Sequence, residues 1–181
     1  MSNFKLSNVS NRNPLVFLEQ NPTLTDALLI DCNYNRDEVI AIIQRVLESP
    51  GRCQLTEFYI QIVVTGHTTF LVTNLNSKRE DCLLESNSTW LIGRDATCAI
   101  TIPDSSVSRC HAVVGYHPID GVYIADVGSS NGTLVNRRRL VNRERRTLQD
   151  GDLLQLGELK IEFFLTSRKL QKPMTYEPTY F

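Results

Sequence analysis

The chain has 181 residues, 41% of them hydrophobic and 22% charged, and a formal net charge of -1. A chain of this length buries roughly 70% of its unfolded surface without a metal or disulfide staple, and the near-zero charge argues against a wholly basic nucleic-acid binder. No stretch approaches the ~18 consecutive apolar residues of a membrane span, and the opening MSNFKLSNVSNRN lacks the apolar core of a secretory leader, so a cytoplasmic protein is expected. Cys32, Cys53, Cys82, Cys98 and Cys110 are odd in number and contain no C-x-x-C pair. That pattern gives no support to structural zinc or a disulfide framework, and no metal or cofactor is expected.

Residues 1 to about 22 are rich in Asn and Ser with few periodic apolar positions, and read as a loose arm. Over 36–49, Val39, Ile42, Ile43, Val46 and Leu47 recur at three-and-four spacing. Asp37 and Glu38 sit in the first turn and Pro50-Gly51 supplies a stop, so this segment predicts a helix. QLTEFYIQIVVTG (54–66) has the β-branched content of a strand and the length of a buried helix. The reading leans to helix, giving a helical hairpin ahead of the main domain. From residue 68 the period becomes two, with turn signals every 8 to 12 residues, among them Gly93-Arg94, Pro103-Asp104, Asp120-Gly121 and Asp150-Gly151. Short strands fall between them at 70–75, 89–93, 99–102, 112–116, 122–127, 153–157 and 160–164, which predicts an all-β sandwich. The tail from Ser167 shows no period and reads as flexible. The expected division is therefore 1–67 as arm and helical extension, 68–166 as sandwich, and 167–181 as tail.

Three turn segments carry the chemistry: Gly93-Arg94, Ser108-Arg109-Cys110-His111, and Asp126 through Thr133 followed by Val135-Asn136. Each lies where a strand ends, so each can present side chains on a sandwich rim without disturbing the core. Arg94 and Arg109 offer planar donor forks, Ser108 and Ser130 offer hydroxyls, and Asn131 offers an amide donor and a carbonyl acceptor. Together these groups describe a receptor for a tetrahedral anion attached to a peptide.

At these residues the sequence resembles the forkhead-associated (FHA) domain family, over about 68–166 and including the Leu148-Gln149-Asp150-Gly151-Asp152 turn before two closing strands. The resemblance implies a β-sandwich of about eleven strands that reads phosphothreonine peptides without catalysis. It implies that Arg94 and Ser108 contact the phosphate, that Arg109 assists, that Ser130 lines the threonine pocket and that Asn131 grips the ligand backbone. Gly93, His111, Gly132 and Thr133 then support the loops. The implied partner is a protein phosphorylated by a Ser/Thr kinase. Neither nucleic acid nor a membrane is an expected partner, and the oligomeric state stays open.

Competing readings fall on the same residues. Gly128-Ser129-Ser130-Asn131-Gly132 fits the G-x-S-x-G pattern of serine hydrolases, but His67, His111 and His117 all lie upstream of the serine, where that fold needs its histidine downstream. Ser108 and His111 lack an evident orienting carboxylate, so catalysis there is not expected. Cys98 and Cys110 read as small buried hydrophobes, the alternative being a thiol activated by Arg109. The run 136–146 holds six arginines, at 137, 138, 139, 143, 145 and 146. The alternative function is therefore a scaffold that binds nucleic acid or an acidic protein through this Arg-rich hairpin, although no aromatic residues interleave it for base stacking.

Overall fold

The computed structural model describes residues 4–5, 13–75, 82–84, 89–141 and 143–168. In chain order the elements are β1 (Phe4–Lys5), α1 (Pro14–Gln20), α2 (Pro22–Asp31), α3 (Arg36–Arg52), β2 (Tyr59–Val64), β3 (Thr69–Thr73), β4 (Cys82–Leu84), β5 (Thr89–Gly93), β6 (Ile100–Thr101), β7 (Ala112–His117), β8 (Gly121–Asp126), β9 (Thr133–Val135), β10 (Arg138–Arg139), β11 (Arg145–Thr147), β12 (Leu153–Leu156) and β13 (Leu159–Ser167). An eight-stranded sheet in the order β1-β4-β3-β2-β13-β12-β9-β10 faces a five-stranded sheet in the order β11-β8-β7-β5-β6. The β-sandwich expected from strand count and spacing is present, and the three helices add a third layer against one outer face.

Two apolar cores explain this layering. Ile60, Ile62, Leu71, Trp90, Ile92, Val114, Ile124, Leu154 and Phe163 belong to the core between the sheets. Tyr59, Val63, Phe70, Val72 and Phe164 project from the opposite face of the eight-stranded sheet onto Phe17, Leu28, Val39, Ile42, Ile43 and Val46 of the helices. Each such aliphatic side chain contributes about 1.5–3 kcal/mol by leaving water. Helix α3 matches its amphipathic pattern, starts at Asn35, whose Oδ1 accepts from the Glu38 backbone N–H at 3.2 Å, and continues through Pro50 to Arg52 rather than stopping before it.

Segment 54–66 is corrected: instead of a helix it contains strand β2 (Tyr59–Val64), pairing in parallel with β13 and antiparallel with β3. All six β2 residues are buried because helices cover one face and the second sheet the other. A strand buried on both faces loses its alternation and becomes a continuous apolar run, which periodicity cannot separate from a buried helix. The sandwich accordingly includes β2, ahead of the boundary read at residue 68, and its larger sheet takes in β1 as well.

The loose-arm reading of 1–22 is corrected where residues are described. Pro14 and Pro22 open α1 and α2, each preceded by an Asn, and Asn13 Oδ1 caps α1 by accepting from the Leu15 N–H at 2.9 Å. The helical layer is tied to the sandwich by polar contacts as well. Asp31, at the end of α2, accepts from Thr65 Oγ1 and the Thr68 N–H, both at 2.8 Å, so it holds the β2–β3 turn. Burial opposes its charge, and these hydrogen bonds outweigh burial and keep its pKa below the ordinary value. Arg168 pairs with Glu38 at 2.7 Å at the other end of the chain's described residues. The expected tail beyond residue 168 lies outside the described residues.

Candidate functional site

Three loops leaving the five-stranded sheet meet at one rim. Their backbones are stitched directly: the Arg94 N–H donates to Ser108 O at 2.9 Å and the Asp95 N–H to Arg109 O at 3.1 Å. This approach requires glycine at position 93, where an added Cβ would fall 2.1 Å from Arg109 O. Gly93→Ala is therefore expected to push the 93–95 and 108–110 segments apart, at about 1–3 kcal/mol of stability. Urea unfolding checks this, and an unchanged midpoint would show that the two segments separate freely.

His111 organises the second junction. It is fully buried, its Nδ1 accepts from the Ser108 N–H at 3.0 Å, and its Nε2 donates to Gly132 O at 3.1 Å. An imidazole accepting at Nδ1 carries its proton on Nε2 and is neutral. Burial pushes its pKa down, opposed by the bond to Gly132 and the charge of Asp126. His111 thus bridges the 108 and 132 loops with both nitrogens engaged inside the protein, a bracing geometry rather than a ligand contact.

Asp126 does the same for the third loop, and sequence reasoning gave it no role. Its carboxylate accepts from the Gly128 and Ser129 N–H groups, both at 2.8 Å, from Ser129 Oγ at 2.6 Å and from Thr133 Oγ1 at 2.7 Å. Burial raises its pKa, but these four donors prevail and hold it at about 2. The readable signal was an Asp two residues before a Gly and three before a Ser, the pattern of an Asx turn. Ser129 Oγ relays the hold by accepting from the Gly132 N–H at 2.9 Å.

These braces leave an open groove of about 500 Å³ lined by Arg94, Asp95, Thr97, Ser108, Arg109, Cys110, Gly128 and Ser130. Arg94 Nε donates to Val107 O at 3.2 Å, which fixes the guanidinium while its terminal nitrogens stay available. Ser108 Oγ accepts from the Ser130 N–H at 3.0 Å, so its own hydroxyl hydrogen remains to be donated. Of the five residues expected to contact ligand, the structure brings Arg94, Ser108, Arg109 and Ser130 together on this groove. Asn131 does not line it. Its Nδ2 donates to Ser106 O at 2.8 Å, and its Oδ1 accepts no hydrogen bond among the described residues. Of the expected supports, Gly93, His111 and Thr133 are buried, and Gly132 sits in a positive-φ turn at +87°.

The groove's chemistry is that of an anion receptor: two guanidinium groups and a hydroxyl donor around a cavity open to solvent. Asp95 also lines it, and hydrogen bonds from the Thr97 N–H and Oγ1 hold that carboxylate's pKa below the ordinary value. The Cys98 thiol donates to Arg109 O at 3.2 Å, and burial pushes its pKa up, so activation of Cys98 by Arg109 is not what the structure supports. Among the described residues, no group of His, Cys, Asp and Glu could hold a metal ion, and no helix is long and apolar enough to cross a membrane.

Comparison with known proteins adds an independent finding. The family model described as FHA domain matches residues 90–157. The germ layers disorganized protein gldi-3 of Caenorhabditis elegans is 33% identical over 81 residues, which are 44% of this chain and 8% of that protein. The oxoglutarate dehydrogenase inhibitor of Corynebacterium efficiens is 38% identical over 76 residues, 41% of this chain and 50% of that one. The chain thus spans half or less of the length of these relatives. Among solved structures, the FHA domain of an Arabidopsis thaliana hypothetical protein is 32% identical, with 49% of this chain and 79% of that one covered at a TM-score of 0.41. Residues 90–157, within the β-sandwich described above, thus match the FHA domain family.

Proposed function

We propose that the rim groove binds a phosphothreonine-containing peptide and that the protein acts as a non-enzymatic module recruiting a partner phosphorylated by a Ser/Thr kinase. The observation that carries this reading is the convergence of Arg94, Ser108, Arg109 and Ser130 on one open groove, with the Ser108 hydroxyl and the Arg94 terminal nitrogens left to donate. A phosphate takes such donors in charge-assisted bonds, roughly twice as strong as neutral ones. Asn131, beside the groove with an Oδ1 that accepts no hydrogen bond among the described residues, suits an N–H of an extended ligand backbone. The neutral, fully engaged His111 supports binding over catalysis, since no free base stands next to Ser108.

The hairpin arginines support the peptide reading over the nucleic-acid scaffold. Arg138 pairs with Glu144 at 2.9 Å, and Arg145 lies over the Tyr123 ring with its guanidinium carbon 4.8 Å from the centroid. Titrating a degenerate phosphothreonine peptide pool against its unphosphorylated counterpart, beside single-stranded and duplex nucleic acid at two salt concentrations, tests the choice. Binding that requires the phosphate supports the proposal; equal binding of both pools overturns it. Phosphothreonine is also expected to bind several-fold tighter than phosphoserine in matched peptides, because burying one methyl near Ser130 contributes about 0.8 kcal/mol. Equal affinities in that titration would remove the methyl pocket and leave phosphate binding in place.

A further inference from the structure

Two of the five cysteines meet at the base of the groove. Cys98 is buried, and its thiol donates to Arg109 O at 3.2 Å. A Cβ added at Gly93 would fall 3.0 Å from the Cys98 sulfur, so this side chain is wedged beneath the junction that joins residues 93–95 to 108–110. The Arg109 carbonyl leads straight into Cys110, which keeps the Cys98 sulfur within about 6 Å of the Cys110 Cα. The Cys110 thiol hydrogen-bonds with the Cys98 sulfur. Cys110 itself is exposed and lines the groove with Arg94, Ser108 and Arg109. One thiol is therefore open to a dissolved oxidant, and the other is held against it out of the solvent.

We infer that Cys98 and Cys110 are a redox pair that a peroxide closes into a disulfide, and that the closed form holds a phosphorylated ligand more weakly. The loss of affinity rests on the reading that the groove binds phosphothreonine. The exposed Cys110 sulfur attacks one peroxide oxygen and the O–O bond breaks, giving a sulfenic acid and one molecule of water. The Cys98 sulfur then attacks the Cys110 sulfur, the S–O bond breaks, and the hydroxyl leaves with the Cys98 proton as a second water. The two thiols lose two electrons and the peroxide gains them. Hydrogen-bonded sulfurs must close by more than about 1 Å to reach the ~2.05 Å of an S–S bond. Cys98 is pinned between Gly93 and Arg109 O, so Cys110 makes the move and Arg109 goes with it. The bridge also removes the Cys98 donor from Arg109 O. A guanidinium drawn out of place meets the phosphate in poorer geometry, and its charge-assisted bonds weaken.

The test treats the full chain with hydrogen peroxide, blocks the remaining thiols with N-ethylmaleimide and maps disulfides by mass spectrometry without reduction. A link between Cys98 and Cys110 is expected in wild type. In Cys98→Ser, dimedone should instead trap a sulfenic acid on Cys110, and in Cys110→Ser the shielded Cys98 should stay reduced. Titration with the phosphothreonine peptide pool is then compared before and after peroxide within each protein. Oxidised wild type is expected to bind about threefold to tenfold more weakly, part of what a lost hydrogen bond to a charged group costs. Dithiothreitol should restore its affinity, and Cys110→Ser should show no response to peroxide. A missing link, Cys110 joined to a different cysteine, or oxidised wild type binding as tightly as reduced overturns the inference while leaving phosphothreonine binding standing. Reduced wild type that binds no phosphorylated pool overturns the reading beneath it, and with it the loss of affinity on oxidation.

Discussion

Replacing Arg94 with Ala is expected to weaken phosphothreonine-peptide binding by about 1.5–3 kcal/mol, the range for a hydrogen bond to a charged group and equivalent to roughly 10- to 150-fold. Arg94 is exposed and held by one bond from its Nε to Val107 O, so its terminal nitrogens are aimed before the ligand arrives and little side-chain entropy remains to be lost. The same exposure means that its loss removes little packing, and the unfolding midpoint should move by less than about 0.5 kcal/mol, as for most surface substitutions. Calorimetric titration alongside urea unfolding measures both. Wild-type affinity in a folded Arg94→Ala protein would show that the phosphate binds elsewhere.

Asp126→Asn should have the opposite signature, with a stability loss of about 2–4 kcal/mol accompanying the loss of binding. Four donors converge on this carboxylate, and an amide at the same place turns one acceptor into a donor aimed at hydroxyls and N–H groups. The pH dependence has a fixed sign. The folded pKa is about 2 against an ordinary 3.8, so the charge-linked stability is fully present above the unfolded value and is lost as pH falls through the folded one. Discounted for partial solvent exposure, that share is about 1–2 kcal/mol. The gap in unfolding free energy between wild type and Asp126→Asn should therefore narrow as pH drops from about 5 to 2. A gap that stays constant across that window would mean that the carboxylate's charge does not hold the loop.

The local signals of single elements were legible in the sequence, whereas features made by other layers were not. Helix α3 announced itself because one face meets water and the other the sheet. Strand β2 did not, because its second buried face is created by helices distant in sequence, and no local pattern records that cover. The starts of α1 and α2 were readable and were passed over: Asn13-Pro14 and Asn21-Pro22 both place a capping residue before a proline suited to the first helical turn. The β9–β10 turn was masked for a different reason. Asn136 and Arg137 take positive φ values of 50° and 69°, the geometry of a tight hairpin normally signalled by Asn-Gly, with an arginine where glycine is expected. At the site, side chains that face outward could be named from motif order. Asp126 could not be given its role so readily, because that role consists of distances to four donors in its own loop.

The parallel pairing of β2 with β13 has a kinetic consequence. Tyr59 lies in register with Glu162, so forming this central pair closes a loop of about a hundred residues. The entropic cost of such closure is about 4 kcal/mol, before the contacts that offset it have formed. The β5–β7–β8 ladder can assemble from neighbouring segments, but the inner strand of the larger sheet must wait for the last described strand. This high contact order predisposes the sandwich to fold in milliseconds to seconds rather than microseconds. On a ribosome, β2 and the helices that cover it emerge long before their partner. The apolar faces of Tyr59, Val63 and Phe70 can meanwhile be shielded by α3, which makes the helical layer an early shelter for the strand on which the sheet is later completed.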